Sequence, residues 1–191
     1  MKKLLNISVI LLFCIFAAGS CTDDKTTEDT ASACIEKSDS SFGVDGGTGT
    51  ILVSAKGNIT ATSDMDWCKV SVDGKTVNLT VTVNEEIMGR TALVSIHADG
   101  QTLCVPVSQK GVVFYVSVNE LTYPLSGGSQ DVQIKSNMQY SIHIPDNVTW
   151  VRYIFVENDV RITATAATAQ RSTKVEIRAG NAVKEIVINQ N

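Results

Sequence analysis

Val77-Asn78-Leu79-Thr80-Val81-Thr82-Val83 alternates apolar and polar side chains at every step. This is the two-residue period of a β-strand with one face on a core and the other in water, and no helix would sort these residues onto one side. The β-branched content favours the same reading. Upstream, the stretch is preceded by Asp73-Gly74, a tight-turn pair. Working outward, Ile51-Leu52-Val53 and residues 103–107 have the same character, and Asp45-Gly46-Gly47 and Asp99-Gly100 punctuate them. The series then begins again. Val132-Gln133-Ile134 and residues 140–144, 160–165, 173–177 and 183–188 read as strands, with turns at Ser126-Gly127-Gly128 and Gly180-Asn181. No stretch carries a helical stripe.

The second series copies the first at an offset of 81 residues: Phe42 corresponds to Tyr123, Gly46-Gly47 to Gly127-Gly128, Arg90 to Arg171 and Gln109 to Gln190. One Trp falls between the glycine pair and the arginine in each copy, Trp67 and Trp150, displaced by two residues. A unit of this length is too long for a solenoid repeat and suits a whole small domain. About seven short strands with turns every 8–12 residues describe an immunoglobulin-like sandwich. The expected fold is therefore all-β, with two tandem immunoglobulin-like β-sandwich domains over residues 34–110 and 111–191.

Ahead of them, Met1-Lys2-Lys3 and the mostly apolar residues 7–18 form a segment too short to span a bilayer, which suits a signal peptide over residues 1–20. Ala17-Ala18-Gly19-Ser20-Cys21 resembles the lipobox of bacterial lipoproteins, with Ala18 where Leu is usual. The resemblance implies lipidation of Cys21 and a membrane attachment in which each buried acyl methylene contributes about 0.8 kcal/mol. Asp23-Asp24 just behind it resembles the signal that exports Bacteroidetes lipoproteins to the outer face of the outer membrane. Residues 21–33, without a large apolar side chain, read as a flexible tether that reaches about 40 Å when stretched.

Phe42 with Gly46-Gly47, Asp66-Trp67, Asn84, Arg90 and Val105-Pro106-Val107-Ser108-Gln109 resemble a BACON domain, a Bacteroidetes-associated, often N-terminal module linked to carbohydrate use. Tyr123, Gly127-Gly128, Ser136-Asn137, Thr149-Trp150-Val151, Arg171 and Ile186-Val187-Ile188-Asn189-Gln190 repeat the likeness, although Ala164-Thr165 replaces the usual Asn. The resemblance implies a non-catalytic surface module that binds a glycan, such as host mucin or dietary polysaccharide, or serves adhesion. The alternative is a structural spacer or scaffold docking a neighbouring outer-membrane protein.

The chain has 16 basic and 20 acidic residues, and the net charge of −4 becomes −6 once Lys2 and Lys3 are removed. Without a basic cluster, nucleic acid is not an expected partner. Cys34, Cys68 and Cys104 all lie in the first repeat; their odd number leaves open one bridge, such as Cys34 to Cys104, or unpaired thiols. No Cys-x-x-Cys marks a zinc site, and Asp64-x-Asp66 lacks the run of oxygen ligands that calcium requires, so no metal or other cofactor is expected. There is no Gly-x-Ser-x-Gly or His-Glu-x-x-His, and the carboxylate pairs Asp64/Asp66 and Glu85/Glu86 fall in turn-like segments. Catalysis is not expected.

Aromatic residues shared in register belong to the fold. Phe42, Trp67, Tyr123 and Trp150 are therefore expected to be structural, as are Arg90 and Arg171. Tyr140, opposite Ile59, reads as inward. Phe114 and Tyr115 fall at the junction, where packing between domains accounts for them. Tyr153 and Phe155 have no aromatic counterpart. Counting alternation from a core Trp150 puts Val151, Tyr153 and Phe155 on the opposite face. That stripe, with Tyr153 and Phe155 as candidate ligand-binding residues, is either an exposed platform or a docking face.

Overall fold

The computed structural model describes residues 32–191; the signal peptide, Cys21 and nearly all of the tether lie outside the described residues. The first repeat contains β1 (Cys34–Ser38), β2 (Ser41–Phe42), β3 (Gly47–Ser54), β4 (Thr60–Ser63), β5 (Cys68–Asp73), β6 (Thr76–Val81), β7 (Arg90–Ala98) and β8 (Gln101–Gln109). The second contains β9 (Phe114–Val116), β10 (Glu120–Tyr123), β11 (Gly128–Ser136), β12 (Tyr140–His143), β13 (Val151–Val156), β14 (Asp159–Ala164), β15 (Arg171–Ala179) and β16 (Ala182–Gln190).

Each repeat folds into two four-stranded sheets with the same strand order. In the first, β1-β3-β6-β5 faces β2-β8-β7-β4; in the second, β9-β11-β14-β13 faces β10-β16-β15-β12. Short parallel pairings of β2 with β8 and of β10 with β16 carry the first part of each repeat onto its second sheet. The chain is thus a tandem of immunoglobulin-like β-sandwiches.

Alternation produces the two cores. Val77, Leu79 and Val81 of β6 meet Ile51 and Val53 of β3 and Val94, Ile96 and Val107 of the facing sheet. Val160 and Ile162 of β14 meet Val132, Val175, Ile177, Ile186 and Ile188 in the second. Cys68 is buried in the first core, and its thiol is pushed up in pKa chiefly by burial; Cys34 and Cys104 are partly buried on β1 and β8.

Phe42 and Tyr123 occupy the same core position, but only the tyrosine has a hydroxyl to satisfy, which donates to the Ile162 carbonyl at 2.7 Å. Burial, and secondarily the charge of Asp131, raise its pKa from 10.0 to about 12. The folded state therefore holds this proton more tightly than the unfolded chain does. The contribution is complete below pH 10 and disappears as pH rises from 10 towards 12. Denaturant unfolding of the second repeat across this window is expected to show falling stability, with a shallower decline in Tyr123→Phe. An unchanged slope in that variant would refute the assignment.

Candidate functional site

The two repeats share one polar construction beside their tryptophans. Arg90 Nε donates to Gln109 Oε1 at 2.8 Å, and its Nη2 donates to the Thr82 and Val83 carbonyls at 3.0 and 2.9 Å. The guanidinium lies over the Trp67 ring at 4.5 Å. Buried Gln109 donates from Nε2 to the carbonyls of Gly43, Val44 and Thr82. In the second repeat, Arg171 donates to Gln190 at 2.8 Å and to Thr165 and Ala166, and lies 4.3 Å over Trp150. Gln190 in turn donates to Pro124, Leu125 and Thr165. A planar five-donor cation suits this task, since it stacks on a ring and serves several acceptors from one edge. These contacts engage both arginines within their own domains.

The tryptophans are partly buried against the cores rather than enclosed by them. Trp150 precedes β13, so strand alternation does not run through it. This corrects the facing expected for Val151, Tyr153 and Phe155. Val151 is 3% exposed, and Tyr153 packs on the second core. The face emerges only at Phe155, which is 61% exposed, while its neighbour Ile154, pointing the other way, is 58% exposed.

Phe155 is not isolated. Its ring centroid lies 5.7 Å from that of Tyr153, edge to face, and 6.2 Å from that of Tyr140. Because β13 and β12 are the edge strands of opposite sheets, the three rings close one open side of the second sandwich. Tyr140, read from the sequence as a core residue, is half-buried and belongs to this group. Its phenol is raised in pKa by burial first and by the charge of Asp159 second. Strand pairing sets Val70 and Val72 in the first repeat where Tyr153 and Phe155 stand in the second. The fold thus builds the same strand without aromatics, and the rings exceed what it requires.

Two recesses lie elsewhere: one of about 460 Å³ along residues 166–171, and one of about 400 Å³ lined by Asn58, Thr60, His97 and Asp99 among others. Among the described residues, no cluster of three or more His, Cys, Asp or Glu is placed to hold a metal ion.

Residues 33–112 match the family model of the viral BACON domain. No curated protein matches the chain in sequence. Among solved structures, the I9–I11 tandem of titin is 8% identical with a TM-score of 0.59, over 84% of this chain and 66% of that one. The titin I-band fragment I67–I69 is 11% identical with a TM-score of 0.37, over 83% and 65%. A protein from Bacteroides thetaiotaomicron solved by NMR is 14% identical with a TM-score of 0.36, over 48% and 96%. The chain spans just under two thirds of these two titin structures, and at 8% identity the likeness to the I9–I11 tandem is one of fold alone. The family match and the tandem fold fit a non-catalytic accessory module. The chain is a pair of immunoglobulin-like β-sandwiches, the first of which is similar to a BACON domain.

Proposed function

We propose that this protein is a surface lipoprotein, anchored through Cys21 in the outer membrane and facing outward, that uses its second sandwich to bind a glycan of the host-mucin or dietary-polysaccharide class. A second BACON-like domain over residues 111–191 is part of this reading. The observation that carries it is the group of Tyr140, Tyr153 and Phe155, where the exposed Phe155 ring is braced by two tyrosines at positions the first repeat fills without aromatics. Sugar rings present apolar C–H faces that stack on such surfaces, and two phenols add hydrogen-bonding capacity at the rim.

The test is a glycan array on the soluble fragment 22–191, followed by calorimetric titration with any positive polysaccharide. Phe155→Val combined with Tyr153→Val installs the side chains of the first repeat. Binding is expected to fall at least tenfold, a loss of about 1.4 kcal/mol, while circular dichroism keeps the native sandwich signal. Binding that survives the double change, or an array without a positive, refutes the reading. The second outcome favours the spacer or scaffold function, which is supported by the bonds that Val112 N and Asn181 N donate to the Glu86 and Glu85 carbonyls between the repeats.

A further inference from the structure

The repeats meet through residues at which they differ. Asn84 is 1% exposed and organises the loop 84–88: its Nδ2 donates to the Met88 and Lys110 carbonyls at 2.9 and 3.0 Å, and its Oδ1 accepts from Glu86 N at 3.3 Å. The loop so shaped presents two carbonyls to the following domain. Glu86 O accepts from Val112 N at 2.8 Å, and Glu85 O from Asn181 N at 2.9 Å. The Glu86 carboxylate accepts a third bond, from Asn181 Nδ2 at 2.8 Å. On the far side, Asn137 clasps the connecting chain, accepting from Val113 N at 2.7 Å and donating to Gly111 O at 3.0 Å. Within the second repeat, next to the bonded Val112 and the 180–181 turn, Val112, Ala179 and Ala182 are buried together against Phe114, Met138 and Tyr140.

The fit leaves no slack at Gly180. Its φ is +56°, and a Cβ there would lie 2.7 Å from Glu85 O and 3.0 Å from the Met138 sulfur. The corresponding hairpin turn of the first repeat carries Asp99-Gly100 instead, and the Asp99 carboxylate is turned onto its own domain, accepting from Lys56 N and Gly57 N at 2.7 Å. At the other end, Ala167 of the second repeat stands where Asn84 stands in the first: each backbone N donates to the matching loop, Ala167 to Leu125 O and Asn84 to Val44 O. Neither outer end therefore repeats the joint.

We infer that the loop 84–88 is a directional docking surface that recognises the Gly180-Asn181 hairpin turn and locks the two sandwiches into one rigid body. Its partner chemistry is specific: a glycine at the first turn position, to admit the Glu85 carbonyl, and an amide side chain at the second, to reach the Glu86 carboxylate. Domains within one chain move relative to one another unless their interface restrains them. Here three hydrogen bonds and the close approach of Gly180 to the Glu85 carbonyl span the joint, and Tyr140, shared between the apolar patch beside the joint and the aromatic edge, ties that edge to the docked turn.

The test is ¹⁵N relaxation on the fragment 22–191. One common rotational correlation time for both repeats is expected in the native chain, and values shorter by about twofold, differing between repeats, in Gly180→Val. Asn181 has no positive φ, so Asn181→Ala keeps the turn; it is expected to raise amide exchange at Val112 and at position 181 at least tenfold without altering exchange at core positions such as Ile162 and Val94. Independent tumbling in the native chain overturns the inference, as does an undisturbed exchange pattern in Asn181→Ala.

Discussion

Gln190→Leu is expected to lower the melting temperature of the second repeat by about 10 °C or more. The side chain is fully buried, and its amide bonds the Arg171 side chain, the 124–125 loop and Thr165 just past β14 at once. The three carbonyls it serves each keep another donor: Gly127 N on Pro124, Ala167 N on Leu125, and Arg171 Nη2 on Thr165. The cost is therefore the bonds lost rather than orphaned acceptors. A bond to a charged donor contributes about 1.5–3 kcal/mol and each neutral one about 0.5–1.5, so a total of about 3–5 kcal/mol is reasonable once the long contact to Leu125 is discounted. A domain of this size has about 4–12 kcal/mol in all, and each kcal/mol moves its midpoint by about 4–8 °C. Calorimetry resolves the shift, with the exposed Lys184→Ala as a control expected to stay within a few degrees. A shift as small as that of the control would mean that the buried amide is incidental. The same substitution at Gln109 is expected to have a similar effect on the first repeat.

The sequence carried the architecture because alternation and turn chemistry are local. Residues 77–81 read as a one-sided strand and form the inner face of β6; the glycine pairs and the shared end residues Gln109 and Gln190 marked a duplication that the identical strand orders reproduce. Local reasoning failed where a residue takes its position from another element. Trp150 is fixed by Arg171 from a distant strand and stands just before β13, so alternation counted from it reversed the facing of Val151 and Tyr153. The meeting of Tyr140 with Phe155 joins edge strands of opposite sheets and has no trace in the sequence near either. The joint was equally hidden: Asn84 was visible as a polar residue of the first repeat's pattern, but its counterpart was read as Ala164-Thr165, whereas the backbone bonds put Ala167 there. Gln109 and Gln190 did give a signal: a shared polar side chain at the end of an apolar strand requires a buried partner.

The glycine pairs that revealed the duplication also divide into two physical roles, and a matched set of alanine substitutions separates them. Gly46 has φ +72°, and a Cβ there would lie 2.1 Å from Val81 O; Gly127 has φ +81°, with its Cβ 2.5 Å from Ala164 O. Both obstacles are backbone oxygens at the end of a paired strand, β6 or β14, so neither can rotate away as a side chain would. The second glycines differ: Gly47 has φ +126° but nothing within 4 Å, and Gly128 has φ +151° with only the Tyr123 ring, at an ordinary 3.8 Å. Alanine at Gly47 or Gly128 therefore meets conformational strain alone, on the order of 1–3 kcal/mol. At Gly46 or Gly127 the same strain is joined by a steric overlap that displaces the turn from its sheet, and the loss is expected to exceed about 4 kcal/mol, the range reserved for severe disruptions. Urea denaturation of the four variants should rank them accordingly, with Gly46→Ala lowest because its contact is the shorter. Equal losses at the first and second glycines would show that the turns need only the left-handed backbone, not the close approach of that backbone to the neighbouring strand.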